Sequence, residues 1–139
     1  MNNKNHEKNN NEVIDEMLQE IHKVIDPEKD KYGVKLIENA KKLGKKLKDN
    51  EMTTSNIRKL YSEAKKINPD VDTNWPYKVN MLKARFAYAA GKNPKKVKDF
   101  QKVAEKALES IGNDPLKYYR FLDFFEAVVA YHRAYGGKE

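Results

Sequence analysis

The residue types that could do chemistry are few in this chain. It has three histidines and no cysteine among 139 residues. Without cysteine there is no disulfide framework, no thiolate nucleophile and no thiolate metal site. His6, His22 and His132 stand in separate segments. Metal sites on bundle helices bring together Glu-x-x-His motifs or histidines one turn apart. The nearest approach to that is His22 with Asp26 beside a helix end, which predicts no metal site. His132 falls inside an apolar arc and reads as a hydrogen-bonded core histidine rather than a general base. Asp123 and Glu126 stand one turn apart among aromatics, a spacing open to paired-carboxylate acid/base work. Lysines or arginines of neighbouring helices are the expected partners for them. No serine occupies a glycine-rich elbow and no glycine-rich phosphate loop occurs. The expectation is a protein without catalytic residues, metal or cofactor.

The basic residues are better organised. The net charge is +7, and its distribution is uneven. Residues 1–40 hold 6 lysines against 9 carboxylates, residues 41–106 hold 18 Lys/Arg against 7, and residues 107–139 hold 4 against 5. The middle of the chain carries all the excess, which suits a polyanion partner as well as it suits a solvated lysine-rich surface. Arg58 and Lys59 follow `TTSN` early on a helix, where free N–H groups and nearby cations would hold a phosphate. Lys83 and Arg85 lie on the outside of a later helix, and `GKNPKK` adds Lys92, Lys95 and Lys96 at its end. No exposed aromatics interleave with these positions, so the surface would grip a sugar-phosphate backbone and ignore sequence. Arg58 and Arg85 stand out because only four of the 28 basic residues are arginine. The bland alternative is that both pair with acidic residues inside the fold.

The elements that must position these residues are all helical. Residues 1–11 are Asn-rich and aperiodic, and are expected to be a disordered tail before a single domain over 12–139. In `EVIDEMLQEIHKVI`, Val13, Ile14, Met17, Leu18, Ile21 and Ile25 recur at helical spacing until Pro27. A second helix, about Tyr32 to Lys48, has Leu36, Ala40, Leu43 and Leu47 as its stripe. Thr53 or Thr54 can cap a third, burying Ile57, Leu60, Tyr61, Ala64 and Ile67. After the loop `NPDVDTNWP`, a fourth helix with Leu82, Phe86 and Ala89 inside is expected to stop at Gly91. A fifth runs from Pro94 to Gly112. The sixth opens with Asp114 as cap and Pro115 at its first position, and runs to Gly136 at C′. Tyr118, Phe121, Leu122, Phe125, Val128, Val129 and His132 share one broad arc of this last helix. So wide an arc predicts a central post wrapped by the others, in a compact all-α bundle of five to six helices. No stretch approaches the roughly 18 apolar residues of a membrane span, and the start lacks the apolar run of a secretory signal. A cytoplasmic protein is expected.

Three segments, `TTSNIRKLY`, `MLKARFAYAAGK` and `RFLDFFEAVVAYHRAYGGK`, resemble the small subunit of the type III-A CRISPR effector, the Csm complex. The resemblance spans about Met52 to Lys138, with the motifs in family order, and `FFEAVVAYHRAYGG` is the most specific. It implies a non-catalytic helical protein that stacks in several copies beside the subunits carrying the CRISPR RNA. It also implies contact with guide and target RNA through basic residues that do not read bases. The matching positions are Arg58 and Lys59 in the first motif, with Lys83, Arg85 and Lys92 in the second. The implied partners are CRISPR RNA and target RNA, the large polymerase-like subunit, the RNA-recognition-fold backbone subunits, and further copies of the chain itself. Arg120 and Arg133 could serve the next copy or the large subunit.

Two other readings compete. Residues 31–67 can be drawn as a helix-turn-helix DNA-binding regulator with Arg58 and Lys59 on the recognition helix, although `KDNEMT` lacks the usual turn glycine. A plain helical scaffold would bind any nucleic acid weakly and lose it at moderate salt.

Overall fold

Apolar residues at three- and four-residue spacing dictate helices, and the computed structural model, which describes residues 12–139, contains six. They are α1 (Asn2–Val24), α2 (Val34–Asp49), α3 (Thr54–Lys65), α4 (Trp75–Lys92), α5 (Pro94–Glu109) and α6 (Pro115–Ala134). The described part of α1 begins at Glu12, and the expected tail over 1–11 lies outside the described residues. No strand occurs among the described residues, so the all-α bundle stands.

The helix ends follow local chemistry. Thr53 accepts a hydrogen bond from the Asn56 N–H at 3.1 Å and caps α3. Asp114 accepts from the Leu116 N–H at 3.0 Å and caps α6, with Pro115 at the position where no N–H is needed. Gly136 has a φ of 94°, the left-handed conformation expected past a helix end. Two boundaries differ from the expectation. α4 begins at Trp75, inside the proposed loop, because the buried indole belongs to its inner face. It also runs through Gly91 to Lys92, since the break falls at Asn93 before Pro94.

The core is aromatic at its centre. The Phe125 ring lies 5.2 Å from Tyr61 of α3, 6.2 Å from Phe86 of α4, 5.0 Å from Phe100 of α5 and 5.9 Å from Phe121. These are tilted and edge-on geometries that the ring quadrupole favours. α6 is thus the residue-level hub, but it is not wrapped all round. Asp123, Glu126, Ala130, Arg133 and Ala134 stay exposed along one side.

α2 comes closest to α6 at Gly44. A Cβ there would stand 2.8 Å from the His132 backbone nitrogen, so only glycine lets the two helices approach this far. At the other end of the same pair, Asp30 accepts the Lys35 and Leu36 N–H groups at 3.0 and 2.8 Å. Arg120 reaches Asp30 at 3.7 Å and donates to the Lys31 carbonyl at 3.1 Å. Arg120 therefore fastens the α1–α2 turn to α6 instead of offering an open surface to another subunit.

Candidate nucleic-acid interface

The first turn of α3 was the expected phosphate seat, and the fold has filled it. The Thr54 N–H donates to the Lys138 carbonyl at 2.7 Å, and the Ser55 N–H donates to the Glu139 main-chain oxygen at 3.2 Å. With Asn56 bonded to Thr53, the donors that a helix N-terminus would turn toward an anion are committed. The reading of this turn as a free phosphate cradle is thereby corrected.

What holds the segment after α6 in place is His132, which is wholly buried. Its Nε2–H donates to the Met52 carbonyl at 2.6 Å. In the neutral ring that leaves Nδ1 to accept from the Thr54 hydroxyl at 3.2 Å. The expectation of a hydrogen-bonded core histidine is met. Gly137 packs flat on this ring: an added Cβ would lie 2.1 Å from His132 Cε1. Arg133 donates to the Gly137 carbonyl at 2.9 Å and meets the Glu139 carboxylate at 3.3 Å. Residues 132–139 thus form a strap over the start of α3, and `YHRAYGG` supplies its fastenings.

The basic residues divide by face. Lys59, Arg85 and Lys92 line one open groove of about 540 Å³ between α3 and the α4–α5 corner, together with Asn56, Glu63 and Tyr88. Arg85 is ion-paired to Glu63 across this groove, which is the bland alternative for that residue. Lys66 also binds Glu63 at 3.0 Å. Lys66 first, then Arg85, hold the Glu63 carboxyl below its ordinary range. Lys92 stands 5.8 Å from the centre of the Tyr88 ring. Lys59 has no carboxylate partner among the described residues.

Arg58 and Lys83 are elsewhere. One residue of helix is about 100° of rotation, so Arg58 turns away from Lys59 into a second groove of about 450 Å³ between α3 and α6. Tyr61, Lys65 and Glu126 share that groove. Burial, followed by the Glu126 and Asp123 charges, pushes the Tyr61 hydroxyl up. Lys83 is about 200° of rotation from Arg85 and borders the opposite edge of the buried face of α4. Neither Arg58 nor Lys83 has an acidic partner among the described residues.

The carboxylate pair also differs from expectation. Asp123 and Glu126 make no ion pair among the described residues, and burial plus the Glu126 charge raise the Asp123 carboxyl against the pull of Arg120. No group of three or more potential metal ligands occurs among the described residues. No helix there is long and apolar enough to cross a membrane.

Tyr88 was missed from the sequence. It is 70% exposed and sits in the basic groove. Its spacing gave the signal, three residues after Arg85 and four before Lys92, one turn from each.

Fold and site together define a class: a small all-helical domain that presents basic grooves along a charged face. The sequence model of the Csm2 Type III-A family matches residues 29–138, and the chain belongs to that family. It is a small subunit of a type III-A CRISPR complex. The match takes in α2, upstream of the three motifs that carried the resemblance. No curated protein and no solved structure matches the chain.

Proposed function

We propose that the chain binds the sugar-phosphate backbone of the guide and target RNA through the α3–α4 groove, without reading bases, and stacks in several copies along that RNA. It contributes binding and positioning to antiviral defence in the cytoplasm and leaves cleavage to other subunits of the ribonucleoprotein. The observation that carries this reading is the convergence of Lys59, Arg85 and Lys92 on one open groove, with two ammonium groups uncommitted to carboxylates. Cations spaced along a groove track phosphates, and the exposed Tyr88 ring offers a face for a sugar or base of any identity. Arg58 and Lys83 extend the basic surface to either side.

The helix-turn-helix reading gains no support, because α2 packs on α6 and not as the partner of α3. The test is RNA affinity against salt for Lys59→Ala/Lys92→Ala and for Arg58→Ala, on several RNAs of unrelated sequence. The double variant should lower the slope of log K against log salt by about 1.4 to 1.8, equally for every sequence. Arg58→Ala should lower it by about half as much. A loss that depends on RNA sequence, or an unchanged slope, overturns the assignment.

A further inference from the structure

Two apolar patches remain uncovered, on helices that α5 keeps apart by packing against both. On α4, Tyr77 (64% exposed) and Met81 (45%) form an outward ridge one turn apart. At the start of α2, Tyr32 (85%), Val34 (61%) and Ile37 (38%) form an outward corner. Side chains of this size normally stay exposed together only where something covers them.

The charge around the two patches is opposite. α4 carries four basic residues and no carboxylate, whereas residues 12–40 carry four basic residues and eight carboxylates. A second copy of this chain therefore fits each patch, and it fits head to tail. The basic α4 ridge of one copy meets the acidic corner of the next. Contact between two α4 ridges would set like charges together.

Building on the stacking part of the proposed function, we infer that the α4 ridge (Tyr77, Met81) docks on the α2 corner (Tyr32, Val34, Ile37) of the neighbouring copy. A contact between two different patches is heterologous and does not close on itself, so copies add indefinitely until a template or cap stops them. The ridge lies on α4 beside the groove that holds Arg85, Tyr88 and Lys92, so docking leaves the groove open along the side of the stack.

The test is sedimentation of the full chain at concentrations up to about 1 mM, a range that resolves weak association. Two variants are compared with it, Tyr77→Glu/Met81→Glu and Val34→Lys/Ile37→Lys. Both sets of positions are exposed, and thermal melts verify folding; serine replaces the charged residues in any variant that melts early. The wild-type chain should form species whose mean mass rises with concentration. Each variant alone should associate at least about tenfold more weakly. An equal mixture of the two should form a pair that grows no further, because each supplies the face the other lacks. Variants that associate like the wild type overturn these faces and leave stacking itself standing. A corner variant that still pairs with itself overturns the head-to-tail arrangement. A wild-type chain that stays monomeric throughout overturns both the docking and the stacking.

Discussion

The two sides of α3 are built on opposite rules. At its first turn every polar group is matched: Thr54, His132, Met52 and the strap residues close on one another without solvent. Along its outer face, Lys59, Arg85 and Lys92 surround a groove whose cations are half committed at most. Buried polar groups are stabilising only when fully paired, and they specify one geometry. Exposed cations contribute little to the fold and keep their charge for something else. The residues that make the C-terminal motif recognisable, His132, Gly136 and Gly137, therefore belong to the joint, while those that would touch RNA need only be basic and open.

Breaking the joint should have the largest effect. His132→Ala strands the Met52 carbonyl and the Thr54 hydroxyl in the core and leaves a cavity, which should cost about 3 to 5 kcal/mol of stability in urea unfolding. RNA affinity of the molecules that remain folded should hardly change. If affinity collapses while the fold survives, joint and groove are not separate devices.

On the groove side, Glu63→Gln removes the one carboxylate that competes with RNA for Arg85. Affinity at low salt should rise about fivefold, the worth of one unit charge about 4 Å away in water. Stability should fall by less than about 1 kcal/mol, since Arg85 is largely exposed. Weaker RNA binding by this variant would mean that the pair orients Arg85 for its contact.

The smallest effect belongs to an intermediate case, Glu20 between α1 and α2. Lys35 at 2.6 Å and Asn39 at 3.0 Å hold its carboxyl below the ordinary value of 4.5. A depressed folded pKa means the contribution is complete above the unfolded value and is lost as pH falls through the folded one. Glu20→Gln should therefore be less stable than wild type by under about 1 kcal/mol at neutral pH, and the two should converge in acid. A difference that persists at pH 2 would assign the effect to packing.

Helices and core were legible in the chain because both follow from local spacing. Leu36, Ala40, Leu43 and Leu47 are all buried on α2, and Tyr118, Phe121, Phe125 and Val128 on α6. The caps Thr53 and Asp114 were legible for the same reason. The site was legible only as a set of charges. Arg58 and Lys59 are neighbours in sequence, and helical rotation sends them to different grooves. The seat at the start of α3 looked empty because its occupants, Lys138 and Glu139, are more than eighty residues away and act through main-chain oxygens that carry no side-chain signature. Asp123 and Glu126 were expected to find cations, but the nearest arginine, Arg120, is spent on Asp30.

That long-range strap has a consequence for the order in which the protein matures. α3 emerges from the ribosome well before α6 exists, and at about 5–20 residues per second the interval is several seconds. Throughout it the Thr54 and Ser55 donors have only water, and His132 has not arrived to take up Met52. The start of α3 is thus the last part of the bundle to gain protection, although it is among the earlier parts to be synthesised.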